Sequence, residues 1–518
     1  MTPLSNQCAF DTENLESINI DSLLSKELMQ LNFEDRTNIS EEVHGVRNMA
    51  VEESGSVKDD ALTMLEYHIN RMLPSEKTAY EKALSLPQTY INESEFRLRF
   101  LRAELFDTEA AARRMMTYLD LIFELFGIEV LKRPIRSTDF KGKEEKAALR
   151  GGLVQLLPYR DRSGRRIIVV LSDIMSQSHI MRVKIFLYLM TVAAECKETQ
   201  NKGVSFVMWP GSNRSIRIPE TEERVICRKS FAAFPLRVVS FHFCWPKTPL
   251  FHFLKSFFVL VMGAKIRARV NFHSGERQEL SYKLMGYGIP VQLLPTTESG
   301  VIKTKNHMQW FKTRRFLEKN AGNNATTRPG ELLGAIECPA LYDVLYERNK
   351  PCIFHPGNCL FKGLIEEKKE EHALLTQTGK RDFSWSIVRE VEKRDGRFLT
   401  WDRRGFWIQL QDRSEIRLKV ATSLRDFNKH ARAVNKCQTV SAVCKVSFDD
   451  GQELKKRRIV TDDEASQSSG SECSSANSTF GMCMPSMLKT LSDTPVHGVT
   501  SQFLINDYDR LSVAPRSA

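Results

Sequence analysis

The sequence predicts an α/β protein, and three observations support this prediction. Between residues 151 and 318, short apolar stretches alternate with longer segments of helical spacing, a pattern typical of a mostly parallel sheet covered by helices. The segment before it, residues 60–150, has helical spacing throughout. Hydrophobic residues make up 42% of the 518-residue chain, which is enough to build a sizeable core. We therefore expect a helical cap, then an α/β domain with a mostly parallel sheet, then a small α+β domain, with disordered termini.

The first segment, residues 1–59, is predicted to be a disordered acidic head. Residues 1–60 contain 13 Asp and Glu but only 4 Lys and Arg, and they show little periodicity. A segment of this composition does not bury enough apolar surface to fold. Because the whole chain has a net charge of +11, the remainder is basic and is expected to prefer anionic partners.

The helical cap, residues 60–150, is predicted from apolar residues that recur at helical spacing. Phe96, Phe100 and Leu101 share one face of a helix in this segment. Asp107 follows that helix and is placed to cap the next one.

The α/β domain, residues 151–318, contains strands and helices in alternation. The predicted strands are Gly152–Leu157, Ile167–Leu171, Val204–Trp209, Leu236–Cys244 and a half-buried strand over Ile266–Phe272. The predicted helices are Ile180–Cys196, Glu220–Phe231, Pro249–Met262 and Glu276–Met285. Elements in this order fit a parallel sheet whose crossover connections are helices.

The segment Pro249–Met262 is apolar on nearly every helical face, with Lys255 in its middle. A helix of this kind is either buried on all sides or covers something apolar that is not protein. The sequence leaves both interpretations open: a central packed helix, or a lid over a lipid.

Motifs of the common enzyme classes are missing from the sequence. There is no Gly-x-x-x-x-Gly-Lys-Ser/Thr phosphate loop, no Gly-x-Gly-x-x-Gly after a strand and no Gly-x-Ser-x-Gly nucleophile turn. Cys352, His355 and Cys359 have a spacing that suits three zinc ligands, but the downstream pair of a zinc finger is missing. We therefore expect a protein that is not an enzyme, with no catalytic residues, no metal and no cofactor beyond a bound lipid or similar hydrophobic ligand.

The segment Leu-Arg-Phe-Leu-Arg-Ala at residues 98–103, followed by Phe106-Asp107 and Ala111, resembles the N-terminal signature of the CRAL-TRIO lipid-binding family. The resemblance covers residues 60–315 and includes the apolar helix. It implies an α/β sandwich with a hydrophobic lipid pocket that a mobile apolar gate helix closes. The gate would fall on Pro249–Met262, with the lipid-binding residues Phe251, Phe253, Leu254, Phe257, Phe258, Leu260, Val261 and Met262.

A linker is predicted at residues 319–338, followed by a small basic domain at 339–434. Its expected elements are helices at Cys359–Leu375, Phe383–Lys393 and Ser414–Arg432, and a β-hairpin around Asp402–Gly405. The stretch His355-Pro-Gly-Asn358, together with Gly396-Arg-Phe-Leu and Gly405-Phe-Trp-Ile, resembles a domain family of unknown function that is marked by an H-P-G-N motif. That resemblance implies no biochemical role.

The H-P-G-N stretch has two interpretations. The structural one is a tight turn that leads into a helix, with Asn358 as its cap. Basic side chains among aromatic ones also suit nucleic acid, and residues 341–435 contain 19 Lys and Arg against 14 Asp and Glu. The functional interpretation is therefore a surface for an anion or another partner, formed by His355, Asn358, Lys362, Arg403, Arg404 and Lys419. Trp401, Phe406 and Trp407 would then either contact the partner or face the core of a half-buried hairpin.

Residues 435–518 are rich in Ser, Asn and Thr and are predicted to form a disordered tail. Lys455-Lys-Arg-Arg458 in this tail has the composition of a nuclear-import signal. No stretch is long and apolar enough to span a bilayer, the first residues lack the pattern of a signal peptide, and the 11 cysteines follow no framework spacing. We expect an intracellular, cytoplasmic protein with reduced thiols, which is nuclear if the basic tetrad acts as an import signal.

The function predicted from these residues is non-enzymatic lipid binding or lipid sensing by a monomer that contacts a lipid or membrane surface. The basic domain would add a recognition surface for nucleic acid or for a protein. The alternative is a nuclear nucleic-acid-binding or regulatory protein that uses the H-P-G-N domain, with the α/β domain as a scaffold or sensor.

Overall fold

The computed structural model describes residues 20–211, 221–248, 264–321, 334–347 and 355–426, together with Lys255, Val259, Met262 and Cys352. All of these residues belong to one compact unit, Met1–Val443. We call residues 20–321 the N-terminal module and residues 334–426 the C-terminal module. The predicted tail at 435–518 and the first 19 residues lie outside the described part of the chain.

The N-terminal module begins with a run of helices whose ends are set by polar residues and glycine. The Ser54 hydroxyl accepts a hydrogen bond from the Val57 backbone N–H at 3.1 Å. The Asp107 carboxylate accepts one from Ala110 at 2.9 Å, so this predicted cap is present. The helices are α1 (Ile20–Gln30), α2 (Phe33–Val43), α3 (Gly55–Arg71), α4 (Thr78–Leu84), α5 (Ser94–Ala103), α6 (Thr108–Phe126), α7 (Glu129–Lys132) and α8 (Lys143–Gly151).

Residues 1–59 were predicted to form a disordered head, and the structure corrects this prediction for residues 20–59, since residues 1–19 lie outside its described part. Residues 20–30 and 33–43 are helical, and α3 begins at Gly55. Glu42 near the end of α2 is only 2% exposed, because Arg237 and Arg269 pair with its carboxylate. The acidic composition did not predict this folded segment, because the partners of Glu42 lie 195 and 227 residues further along the chain.

Five strands form the large sheet in the order β1–β2–β3–β4–β5. The first pair is antiparallel and every later pair is parallel, which confirms the predicted α/β class with a mostly parallel sheet. The strands are β1 (Val154–Leu156), β2 (Arg166–Leu171), β3 (Val204–Trp209), β4 (Val238–Trp245) and β5 (Val270–Ser274). The helices of this region are α9 (His179–Ala193), α10 (Lys197–Lys202), α11 (Thr221–Ala233), α12 (Ala264–Arg267), α13 (Arg277–Gly286) and α14 (Lys305–Asn320).

The two faces of the large sheet are buried by different elements, because alternate residues of a strand point to opposite faces. Face A includes Ile168, Phe206 and Phe241, which belong to the same core as α5, α6 and α9. Face B has Val169 and Val207, which pack with α13 and with residues 289–294. A sheet covered on both faces explains why its central strands are apolar at nearly every position.

The predicted strand over Ile266–Phe272 is displaced in the structure. Residues 264–267 are helical, and β5 begins only at Val270. A half-buried strand would expose its charged residues to solvent, but Arg267 pairs with Glu27 and Arg269 with Glu42. Alternating charged residues in this segment therefore mark internal ion pairs and not a solvated strand face.

The C-terminal module is a small α+β structure, as predicted. Its sheet, the small sheet, has the order β6–β9–β8–β7 and includes the expected antiparallel hairpin of β8 and β9. Strand β6 lies within the predicted linker 319–338, so that segment is partly structured. The elements are β6 (Ala335–Ile336), β7 (Val344–Tyr346), α15 (Pro356–Glu367), α16 (Lys369–Leu374), α17 (Gln377–Glu392), β8 (Phe398–Trp401), β9 (Trp407–Gln409) and a helix at 413–426.

The two modules contact each other through the loop between β1 and β2. The Arg160 Nε donates a hydrogen bond to the Pro339 carbonyl at 3.2 Å. The rings of Tyr159 and His355 meet in a T-shaped contact with centroids 5.1 Å apart. At a second contact, the Thr313 hydroxyl of α14 donates to the Gly405 carbonyl at the hairpin tip at 2.8 Å. The small sheet is thus covered by its own helices on one face and by the N-terminal module on the other.

Within the part of the chain that the structure describes, no helix has both the length and the apolar character needed to cross a bilayer.

Candidate functional site

An apolar cavity of about 70 Å³ lies between face A of the large sheet and helices α9 and α11. Its walls come from β2, β3 and β4 on one side and from the two helices on the other. The aromatic lining residues are Phe186, Phe206, Phe231 and Phe241. The aliphatic and methionine lining residues are Val170, Ile174, Met175, Val183, Met208 and Met262.

The aromatic wall is built by residues that the strand and helix periods bring to one side. The Phe206 ring of β3 stacks on Phe241 of β4, with centroids 5.8 Å apart. It also stacks on Phe234, just after α11, at 6.1 Å. Phe231 meets Phe234 in a T-shaped contact at 5.2 Å. Offset and T-shaped rings of this kind give a rigid, dry surface against which an apolar chain can lie.

One buried ion pair lies on the wall of this otherwise apolar cavity. Arg182 of α9 pairs with Glu223 of α11, and both side chains line the cavity. The Arg182 Nη1 also lies 3.0 Å from the Met175 sulfur. Burial raises the pKa of the nearby Cys227 thiol, against the opposing effect of Arg182. The cavity therefore has an aromatic body and one charged end.

Only Lys255, Val259 and Met262 of the predicted gate helix belong to the described residues. Phe251, Phe253, Leu254, Phe257, Phe258, Leu260 and Val261 lie outside the described residues. Val259 and Met262 are described and buried, and Met262 lines the cavity. Arg267 contacts the backbone of both residues: its Nη1 donates hydrogen bonds to the Val259 and Met262 carbonyls at 3.2 and 2.6 Å. The gate segment therefore ends at the cavity that face A forms.

The arginine-rich segment on α5 supports the fold. The Arg102 Nε donates to the Glu53 carboxylate at 2.6 Å, and its Nη1 donates to Gln200 of α10. The hydrogen bond from Arg102 lowers the pKa of the Glu53 carboxyl, although burial opposes it. Arg102 thus joins the segment before α3 to the α/β part of the chain.

Two residues of the proposed anion surface, His355 and Asn358, have structural roles in place of a surface role. His355 is 1% exposed and is the residue that precedes α15. Asn358 was predicted to cap a helix beginning at Cys359, but α15 already begins at Pro356. The Asn358 amide accepts a hydrogen bond from the Leu345 N–H at 2.7 Å and donates to the Leu345 carbonyl at 3.0 Å. The H-P-G-N motif therefore joins α15 to β7 and to the other module.

The remaining predicted cations lie at the surface, and two of them have acidic partners. Arg404 pairs with Asp402 at 2.8 Å, and Lys419 pairs with Glu415 at 3.5 Å. Lys362 and Arg403 are exposed. The hairpin aromatics Phe406 and Trp407 are buried, so they belong to the core and do not form a stacking platform.

Several site residues were missed by reasoning from the sequence. Phe186, Phe206, Phe231 and Phe241 had been assigned to elements but not to a pocket, and Arg182 and Glu223 had no assigned role. The signal that could have found part of this set is the alternation Phe206-x-Met208 and Phe241-x-Phe243 on neighbouring strands, which places the rings on one face.

No group of three or more His, Cys, Asp or Glu side chains among the described residues is arranged to hold a metal ion. The trio suggested by spacing, Cys352, His355 and Cys359, includes the buried His355 and the exposed Cys359.

Comparisons with known proteins give similar solved structures and one family match. A search of curated proteins found no match. Among solved structures, the crystal structure of Sfh5 is similar to this chain at 10% identity and a TM-score of 0.30, over 50% of this chain and 98% of that one. A likeness at this TM-score supports no conclusion about the site. Residues 343–426 match the family model described as a domain of unknown function, DUF6824, which confirms that a domain of unknown function lies in this part of the chain.

Proposed function

We propose that the protein binds the apolar chain of a lipid between face A of the large sheet and helices α9 and α11, and that it does so without catalysing a reaction. The observation that supports this proposal most directly is the aromatic cavity around Phe206, which adjoins the end of the apolar segment Pro249–Met262. The arginine-rich segment on α5, with its resemblance to the CRAL-TRIO family, points to the same class of ligand.

A cavity of about 70 Å³ is too small for a whole acyl chain, so binding must displace one of its walls. Helix α11 is the wall with the fewest buried side chains, namely Glu223, Ser230 and Ala233. Elements with few buried apolar contacts need the least free energy to move away from the core. Each methylene that enters from water contributes about 0.8 kcal/mol, so a long chain offsets the cost of moving α11.

The pair of Arg182 and Glu223 suggests where the polar end of the ligand lies. Both groups line the cavity, and moving α11 away from α9 would separate them. A buried guanidinium without its carboxylate requires another anion. We therefore expect the ligand to be an amphiphile whose acidic headgroup takes the place of Glu223.

The test is to fill the cavity without adding charge. Cys227 lines the cavity, so Cys227→Phe should occupy the space that the ligand needs. Because filling a cavity adds packing contacts, the melting temperature should stay unchanged or rise by a few degrees. Uptake of a fluorescent fatty acid by the full chain should be lost. Cys359→Phe at an exposed position is the matched control and should bind as the wild type does.

Normal uptake by Cys227→Phe, with an unchanged fold, would place any lipid site elsewhere. Native mass spectrometry of the chain purified from cells provides an independent check, because it reports whether a lipid is bound and what its mass is. A chain that has no bound lipid and takes up no fluorescent lipid would contradict the proposal.

The nucleic-acid alternative stays a prediction, as do the cytoplasmic or nuclear location and the monomeric state. Among the described residues no geometric observation favours nucleic acid, because His355, Phe406 and Trp407 are buried. The basic tetrad Lys455–Arg458 lies outside the described residues.

A further inference from the structure

A second and larger cavity, of about 710 Å³, lies in the cleft between the two modules. The N-terminal module contributes the end of α9 and part of α14, and the C-terminal module contributes β6 and β9. Val192, Leu317, Ile336 and Ile408 form apolar parts of its wall. Its volume is within the range of about 300–1,000 Å³ that is usual for sites of small organic ligands.

Most arginines that line this cleft already have a carboxylate. Arg314 pairs with Glu195, Glu318 and Glu337. Arg397 pairs with Asp343 at 2.8 Å, and Arg404 pairs with Asp402 at the same distance. These pairs neutralise one another and leave little net charge to attract a ligand.

Arg166 differs from these arginines. It is the first residue of β2, it is 4% exposed, and it lines the cleft. Its Nε has no hydrogen-bond partner within the described part of the chain, and no described carboxylate forms an ion pair with it. A buried guanidinium without a partner is costly for the fold. Such a cost is typical of a site whose partner is a ligand.

We propose that the cleft between the modules binds a small organic anion, a carboxylate or a phosphate ester, with Arg166 as its ion-pair partner. The guanidinium presents a planar fork of donors that matches both acidic groups. The apolar residues of the wall would cover the body of the ligand. This cleft and the face A cavity share no lining residue. The experiment on one site therefore does not decide the proposal for the other.

Cys196 lines the same cleft and provides a reporter of its occupancy. Burial has the largest single effect and acts to raise the pKa of the Cys196 thiol. Arg160, whose Nη2 donates to the sulfur at 3.2 Å, and hydrogen bonds from Thr199 together outweigh burial and lower the pKa below its usual value. A thiol with a lowered pKa reacts faster with alkylating reagents. A ligand in the cleft should therefore slow the alkylation of Cys196.

The experiment uses the full chain and two probes, phenyl phosphate and benzoate, which distinguish the two acidic groups. Calorimetry should detect binding of at least one of them at millimolar concentration. Arg166→Met should weaken that binding about tenfold or more, and Arg166→Lys should weaken it less, because the charge stays and only the fork is lost. Arg389→Met on the exposed side of α17 is the control and should bind as the wild type does.

Two further measurements separate a binding role from a structural one. Without ligand, Arg166→Met should melt at a higher temperature than the wild type, because an unpaired buried charge is removed. The bound probe should slow Cys196 alkylation in the wild-type chain. If neither probe binds the wild type, or if Arg166→Met and the wild type bind a probe equally well, the proposal is wrong.

Discussion

Gly357 lies where the first turn of α15 meets the backbone of β7. A Cβ atom at this position would lie 2.1 Å from the Asp343 carbonyl oxygen, and backbone cannot move aside as a flexible side chain can. We predict that Gly357→Ala destabilises the protein by about 1–3 kcal/mol, in the range of an overpacked core position. Urea unfolding followed by circular dichroism measures this loss.

The same helix provides the control for Gly357. A Cβ at Gly363 would meet nothing within 4 Å, so Gly363→Ala should stabilise the helix by up to about 1 kcal/mol through helix propensity alone. Equal effects of the two substitutions would show that the approach of α15 to β7 is not close.

Helix α2 is the element whose position depends most clearly on one side chain. Glu42 is its buried residue with two arginine partners, and Arg165 also donates to the Glu42 carbonyl at 2.7 Å. Glu42→Gln would keep the shape of the side chain but leave Arg237 and Arg269 buried without their carboxylate. We predict a loss of about 3–5 kcal/mol in the free energy of unfolding, together with faster proteolysis of residues 20–50.

The neighbouring residue is the matched control for this prediction. Glu41 is partly exposed and lies 4.0 Å from Arg47, a surface pair of the kind that contributes about 0–1 kcal/mol. Glu41→Gln should therefore leave stability nearly unchanged. A loss in Glu42→Gln no larger than this would mean that α2 is held by packing alone.

The extent to which the elements could be predicted depends on whether their partners are local. Strand β3 was predicted at its observed bounds, because an apolar run lies between Gly203 and Pro210. Helices α1 and α2 were missed because their acidic residues find their partners far along the chain: Glu27 pairs with Arg267, and Glu42 pairs with the arginines that directly precede β4 and β5. The cavity residue Phe206 was assigned to its strand, but its pairing with Phe231 depends on how α11 packs, and the sequence does not show this.

The pH dependence of unfolding is a property of the whole molecule, and buried histidines contribute to it. Burial, with a smaller effect of Lys283, lowers the pKa of His273 to about 4. Burial also lowers the pKa of its neighbour His242, whose Nδ1 lies 3.2 Å from the His273 Nε2. His355, at the contact between the modules, has its pKa lowered to about 4 by burial as well.

The direction of the pH dependence follows from whether the folded or the unfolded chain binds protons at its histidines. An unfolded histidine has a pKa of about 6.5, so between pH 6.5 and 4 the unfolded chain binds protons that the folded chain does not. The unfolding free energy therefore falls as the pH falls through this window. We predict that His273 alone lowers the unfolding free energy by about 2 kcal/mol when the pH falls from 7.5 to 5.

Chemical denaturation of the wild type and of His273→Gln at these two pH values measures that contribution. The substituted chain should lose about 2 kcal/mol less on acidification than the wild type. Identical losses would show that His273 is protonated in the folded protein, and hence that it is more accessible to water than its 8% exposure indicates.

The pairing of β6 with β9 has a consequence for how the C-terminal module can be isolated. Ala335 and Ile336 of β6 lie beside Ile408 and Trp407 of β9, yet the family match begins only at residue 343. A fragment cut at that boundary would leave β9 as an open edge strand and uncover Trp407. Open edges pair readily with other chains. Such a fragment is expected to self-associate, and its aggregation would reflect the missing strand and not an assembly that the native protein forms.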